Sequence, residues 1–102
     1  MLSIRPNCEH CDVDLPADSV QAKVCSFECT FCTNCVENVL DNCCPNCGGD
    51  FQIRPIRPAT NFKNGNYLGD YPAQTQRLHR PVDLKEHLKL LQIVREHLTN
   101  KA

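Results

Sequence analysis

The sequence predicts a small α+β domain that bound metal stabilises in place of a large apolar core, followed by an amphipathic C-terminal helix. Three observations lead to this fold class. Nine of the 102 residues are cysteines. All nine lie in the first half of the chain, where large apolar residues are too few for an independent core. The C-terminal segment carries apolar side chains at helical spacing.

The cellular compartment decides whether so many cysteines form disulfides or bind metal. The start of the chain, MLSIRPNCEH, lacks the apolar run and the cleavage site of a secretory signal. No apolar stretch approaches the roughly 18 residues of a membrane span. We therefore expect a cytoplasmic protein without a membrane partner, in which thiols stay reduced and metal thiolates are favoured over disulfides.

The cysteines form four ordered pairs and one remainder. Two residues between thiols allow a tight turn to direct both sulfurs at one ion. Eight thiolates suit two tetrahedral sites, so we expect two zinc ions per chain. Sites filled by sulfur leave no position for water or substrate, which predicts a structural role and no enzyme activity. The expected ligands are Cys8, Cys11, Cys25, Cys29, Cys32, Cys35, Cys44 and Cys47.

Iron–sulfur binding is the first rival to zinc. The run that begins at Cys29 and continues through Cys32 and Cys35 starts like a ferredoxin motif. That motif needs its next cysteine after about three residues. Here eight residues separate Cys35 from Cys44, which disfavours a cluster of that type.

The order of the pairs resembles that of RING fingers. The stretch CTFC at residues 29–32 stands where RING fingers carry His-x-Phe-Cys, and CPNC at residues 44–47 stands where they carry Cys-Pro-x-Cys. The resemblance implies a RING-like or treble-clef-like fold with interleaved sites, one formed by Cys8, Cys11, Cys32 and Cys35 and the other by Cys25, Cys29, Cys44 and Cys47. Spacing alone leaves open a sequential pairing that joins Cys8, Cys11, Cys25 and Cys29.

The ubiquitin-ligase activity of RING fingers carries over less well. Those ligases place an apolar residue inside the first cysteine pair, whereas this chain has Glu9 and His10 there. Gly48 follows the last ligand, where an arginine is common, and only Pro45 matches. A RING-type ligase is therefore the weakest alternative.

Three stretches of the cysteine-rich segment resemble a family of short bacterial proteins known as domain of unknown function 1272 (DUF1272). They are RPNCEHCD at Arg5–Asp12, CSFECTFC at Cys25–Cys32 and CPNCGG at Cys44–Gly49. The resemblance covers about the first 58 residues. It implies a bacterial, cytoplasmic protein and brings no assigned activity.

Composition divides the chain into three parts. Residues 1–58 form the predicted two-zinc domain, and residues 59–81, rich in Asn, Gly and Pro, form a linker or an arm that wraps the surface. Residues 82–100 form the predicted helix, with Asp83 as N-cap and Glu86 completing a capping box. Its apolar stripe suits docking on the chain's own domain or a homodimer contact, and consists of Leu84, Leu88, Leu91, Val94 and Leu98.

Charge and the ninth cysteine bear on function. Residues 1–58 carry four basic and eight acidic side chains, a net −4, whereas residues 59–102 carry a net +3. An acidic zinc domain disfavours nucleic acid. We therefore predict a zinc-stabilised protein-interaction module, an accessory or regulatory scaffold whose protein partner the sequence does not identify. The alternatives are a nucleic-acid-binding zinc protein and a thiol redox or metal sensor; the second would use Cys43, which is otherwise a spare reduced thiol.

Overall fold

The cysteine-rich half is built on a three-stranded antiparallel sheet. The computed structural model describes the side chains of residues 1–99 and the backbone as far as residue 101. Strand β1 (Ala22–Val24) lies at the centre, between β2 (Thr30–Cys32) and β3 (Gln52–Ile53). Lys23 faces Phe31 on one side and Ile53 on the other. Strand β3 is only two residues long, so it leaves no periodic pattern in the sequence.

Helix α1 (Thr33–Asn38) follows β2 directly. Cys32 is its N-cap, and its sulfur accepts a hydrogen bond from the backbone N–H of Cys35 at 3.4 Å. The cysteine turn itself therefore forms the first turn of the helix. A sulfur thus takes the place of the oxygen acceptor that usually caps a helix.

The core is thin, and five of its eleven members are cysteines. The largest side chains in it are Phe31 and Phe51, whose rings meet edge to face with centroids 5.5 Å apart. The remaining core residues are Leu15, Ala22, Val36 and Leu40 with Cys8, Cys25, Cys32, Cys35 and Cys44. A core of this size cannot offset the conformational entropy of the chain on its own.

The segment between β3 and the C-terminal helix lies along the cysteine-rich half. Within the described residues it has no helix or strand beyond Ile53 until Leu84. The Asn7 side chain holds it at Leu78, donating to the Leu78 carbonyl at 2.9 Å and accepting from the Leu78 N–H at 3.2 Å. The Arg80 N–H donates to the Glu9 carbonyl at 2.8 Å. This arm, residues 72–82, thus brings the tail back to the first cysteine pair.

Helix α2 (Leu84–Lys101) is the long helix that the apolar spacing predicted. The Asp83 carboxylate caps it by accepting from the backbone N–H groups of Lys85 and Glu86 at 3.0 and 3.3 Å. The Glu86 carboxylate does not complete the predicted capping box but lies 3.2 Å from the ammonium of Lys89. Negative charge in the first turn also favours the helix dipole.

The face by which α2 docks differs from the predicted stripe. His87 and Leu91 are buried and Leu90 and Val94 are partly buried, so the docked face centres on these four residues. Three members of the predicted stripe are exposed, namely Leu84, Leu88 and Leu98. His87, which falls within the stripe at helical spacing, packs against the domain together with Leu91. The exposed members leave self-association of the helix as a prediction.

Candidate metal centre

Two cysteines of the N-terminal turn and two at the start of α1 form the first cluster. The sulfurs of Cys8, Cys11, Cys32 and Cys35 all lie within 4.8 Å of one another. Cys8 and Cys11 come from the N-terminal turn, whose backbone closes through a hydrogen bond from the Asp12 N–H to the Cys8 carbonyl at 3.0 Å. Cys32 and Cys35 come from the start of α1. The structure therefore groups the sulfurs in the interleaved order and not in the sequential one.

The second cluster lies between the β1–β2 turn and the CPNC turn. The sulfurs of Cys25, Cys44 and Cys47 lie within 4.8 Å of one another. Cys29 lies outside this group of three, although its sulfur is close enough to that of Cys25 to influence its pKa. The Cys29 sulfur also accepts from the Asn46 side-chain amide at 3.4 Å. The fourth expected ligand thus lies beside the other three, and each of the two groups of four cysteines could hold a metal ion.

Sulfur spacing and backbone donors fit a tetrahedral metal ion. The sulfurs of Cys11 and Cys32 are 3.7 Å apart. Metal–sulfur bonds of about 2.3 Å at tetrahedral angles place sulfurs about 3.8 Å apart. Backbone N–H groups point at the sulfurs from within the turns, as at Cys25, where the N–H of Phe27 donates at 3.3 Å, and at Cys47, where that of Gly49 donates at 3.4 Å. Such donors stabilise thiolates.

The pKa shifts of the cysteines follow from burial and from crowding of the sulfurs. Burial by itself would raise the pKa of Cys8, but backbone hydrogen bonds from Cys11, Cys32 and His10 outweigh it and lower that pKa. Burial raises the pKa of Cys35, and the neighbouring Cys32 and Cys8 sulfurs raise it further. Burial raises that of Cys44 as well. Four adjacent thiols therefore resist full ionisation unless a cation neutralises them.

Residues outside the eight cysteines take other roles. Cys43 is buried, its sulfur lies 4.0 Å from the Cys44 carbonyl, and it belongs to neither cluster. His10 accepts the Val82 N–H through Nδ1 at 2.9 Å, so it holds the arm. His87 Nε2 lies 2.8 Å from the Leu40 carbonyl oxygen. His79 Nε2 lies 3.0 Å from the His10 carbonyl oxygen.

Sequence reasoning missed two polar residues that support the clusters. Asn46, inside the CPNC turn, donates to Cys29, and its position between two ligands was a usable signal. Asn7, which is buried just before Cys8, donates to the Cys8 carbonyl at 3.1 Å and to the Asp12 carboxylate at 2.9 Å. Nothing in the sequence around Asn7 separates this role from that of an ordinary turn residue.

Comparisons with known proteins agree with the resemblance found in the sequence. The family model described as "Protein of unknown function (DUF1272)" matches residues 1–57. An uncharacterized protein of Rhizobium meliloti (strain 1021) is 54% identical over 81 residues, which cover 79% of this chain and 89% of the relative. No solved structure gives a significant match. Among the described residues, no helix has the length and apolar character needed to cross a membrane.

Proposed function

We propose that this chain, which belongs to the DUF1272 family, is a small zinc-binding protein-interaction module that serves as an accessory or regulatory scaffold. The observation that carries the proposal is the pair of four-cysteine clusters. All the donors are sulfur, which suits zinc, and a site with four protein ligands keeps no open position for catalysis. We place the protein in the bacterial cytoplasm, where its thiols stay reduced.

Zinc would supply folding free energy at these sites. The first cluster would hold one ion through Cys8, Cys11, Cys32 and Cys35, and the second would hold another through Cys25, Cys29, Cys44 and Cys47. The interleaved order supports a RING-like or treble-clef-like arrangement. Since the core is thin, metal binding and folding would be one event.

Charge favours a protein partner over nucleic acid. Zinc bound to four thiolates carries a formal charge of −2, so residues 1–58 would carry about −8 with both ions bound. Among the basic residues of the tail, Arg77 pairs with Asp12 and Asp14. Arg95 pairs with Asp41. Such a surface repels phosphate.

Self-association through α2 is a second candidate function, favoured by the apolar residues that docking leaves exposed. Leu84, Leu88 and Leu98 are each at least half exposed, and so is Ile93 on the opposite face. The first three lie along one edge of the helix, where a second copy could cover them. A protein that sediments as a monomer at high concentration would eliminate this candidate.

Native mass spectrometry of the purified full chain tests the metal part of the proposal. We expect two zinc ions per chain, and the count should fall on chelation together with the far-UV signal of the sheet. Iron in place of zinc, or an apo protein with an unchanged spectrum, would contradict it.

Partner capture tests the interaction part. The zinc-loaded chain and a matched Cys44→Ser chain serve as baits in a lysate of the source bacterium. A protein retained by the first bait and lost from the second supports the proposal. Equal retention by both baits, or no specific protein on the first, argues against a zinc-dependent interaction surface.

A further inference from the structure

A cavity of about 240 Å³ lies where the arm, the start of α2 and the CPNC turn meet. Its apolar wall consists of Phe31, Pro45, Pro81 and Val82. Sites for small molecules usually measure about 300–1,000 Å³, so this cavity is of the size that takes a single side chain. Neither metal cluster uses it.

A buried carboxylate forms one side of the cavity. Glu9 is 2% exposed, and one of its carboxylate oxygens accepts the Thr30 N–H at 2.7 Å. Within the part of the chain that the structure describes, the other oxygen meets only the guanidinium of Arg80, at a long 3.5 Å. The Arg80 side chain is 64% exposed. The buried charge of Glu9 is therefore held by a weak and displaceable partner.

A histidine on the other side contributes an unpaired acceptor. His87 is 3% exposed and lines the cavity. Its Nε2 must carry the proton and donate to the Leu40 carbonyl, since a carbonyl only accepts. Nδ1 of the neutral ring then has a lone pair that can accept a hydrogen bond. Nδ1 is buried and has no hydrogen-bond partner in the described part of the chain. Buried polar atoms are paired in most proteins, so this one indicates a missing donor.

The remaining polar groups around the cavity are also acceptors. The Asn46 amide nitrogen donates to Cys29, which leaves its oxygen free to accept. Asp83 and Glu86 add two carboxylates, although one oxygen of Asp83 caps α2 and one oxygen of Glu86 meets the exposed Lys89 ammonium. Together with Glu9 they outnumber the one guanidinium, that of Arg80, by three charges to one. The cavity is therefore suited to a cation with several donors.

We propose that this cavity receives an arginine side chain of a partner protein. The inference rests on the proposed function as an interaction module and names the chemistry that the partner presents. A guanidinium offers five N–H donors in a planar fork, whereas an ammonium offers three around a point. The methylene stem would lie against the apolar wall, and the guanidinium would take the place of Arg80 beside Glu9.

Chemical-shift titration of the zinc-loaded, ¹⁵N-labelled full chain tests the proposal. The probe is a capped Gly-Arg-Gly tripeptide, and its matched control carries citrulline, a neutral isostere of arginine. We expect saturable shifts of the Thr30, Val82 and His87 amides with the arginine probe and at least tenfold weaker binding of the citrulline peptide. Equal effects of the two peptides, or no saturation, would overturn the proposal.

Three variants locate the binding site. Glu86→Gln should weaken binding of the arginine probe at least threefold, because the substitution removes a carboxylate of the cavity. The control is Glu96→Gln, which changes an exposed acidic residue of the same helix outside the cavity. This variant should change the affinity for the probe less than 1.5-fold. Arg80→Gln should strengthen binding, because it frees Glu9. Equal effects of the two glutamate variants, or weaker binding by Arg80→Gln, would place the probe elsewhere and sink the proposal.

Failure here differs from failure of the proposed function. If the zinc-loaded chain captures a partner that Glu86→Gln retains in full, and the arginine probe does not bind, the arginine site is wrong and the interaction module stands. If the probe binds in the cavity but no zinc-dependent partner is captured, the site stands and the interaction module is wrong.

Discussion

Gly48 joins the second cluster to the C-terminal helix. Its φ of +77° lies in the left-handed region that glycine adopts at little cost. A Cβ at this position would lie 3.3 Å from Cγ2 of Val94 and 3.8 Å from Cδ1 of Leu90. The residue therefore allows both the turn after the last cysteine and the close approach of α2.

Replacing Gly48 should loosen that junction. We expect Gly48→Ala to lower the free energy of unfolding of the zinc-loaded protein by about 1–2 kcal/mol, the cost of left-handed backbone in a residue with a Cβ. Denaturant unfolding measures the change. The control is Gly49→Ala, whose φ is not positive and whose Cβ would lie 3.4 Å from the Cys47 sulfur. Equal destabilisation by both variants would contradict a special role for Gly48.

Cys43 shows how a thiol next to a ligand can stay outside a site. Burial raises its pKa, and the negative charge of Cys47 raises it further, so the unreactive thiol form dominates at neutral pH. This argues against the redox hypothesis. We expect Cys43→Ala to keep two zinc ions per chain and to release zinc in peroxide at the same rate as the parent protein. Cys44→Ala should lose one ion. Slower zinc release from Cys43→Ala, measured with a zinc indicator, would restore the sensor hypothesis.

Some single residues could be predicted from the sequence and others could not. Cysteine ligands follow a local rule, because two thiols at the right spacing meet one ion whatever the rest of the chain does. Arg54 follows no such rule. It is buried and donates to the carbonyls of Arg5, Leu15 and Pro16. Burial lowers its pKa, and only the tertiary fold reveals that environment.

Among the elements, α2 could be predicted in length and start but not in orientation. Its apolar residues cover more than one face, and the docked face is decided by the surface of residues 40–48 against which it packs. His87 reaches the Leu40 carbonyl there, a contact that an apolar pattern does not contain. The arm was predicted only as a linker or a wrapping segment, since its hydrogen bonds to Asn7 and His10 span about seventy residues of sequence.

The two edges of α2 should respond differently to truncation. Leu91 is 6% exposed and Leu88 is 66% exposed. We expect Leu91→Ala to destabilise the protein by about 2–4 kcal/mol, the usual cost of emptying a buried leucine site. Leu88→Ala should change stability by less than about 0.5 kcal/mol. Thermal or denaturant unfolding of dilute protein measures both, and a larger loss for Leu88 would mean that the exposed edge is covered in solution.

At the scale of the whole molecule, the tail compensates the charge of the cysteine-rich half. The chain has a net charge of −1, but its first part is acidic and its second part basic. Arg77, Arg80 and Arg95 each meet a carboxylate of the first part. Exposed ion pairs of this kind contribute little to the stability of a fold. These three pairs therefore orient the docked tail more than they stabilise it.

The two metal clusters should hold different parts of the tail. Cys11 belongs to the N-terminal turn, whose residues Asn7, His10 and Asp12 bond the arm. Cys47 belongs to the turn on which α2 packs through Gly48. Both cysteines are exposed, so replacing either sulfur should disturb the core little directly.

We therefore expect Cys11→Ser and Cys47→Ser to retain one zinc ion each but to release different segments. Loss of the first ion should increase hydrogen exchange in residues 77–82, because the turn that binds the arm is no longer fixed. Loss of the second should increase it in residues 86–95, because α2 loses its docking surface and a helix of this length is marginal alone. Native mass spectrometry gives the metal count and exchange mass spectrometry gives the segments, with Cys43→Ala as the two-zinc control. Identical exchange patterns in the two serine variants would mean that the sites fold as one unit and would contradict this division.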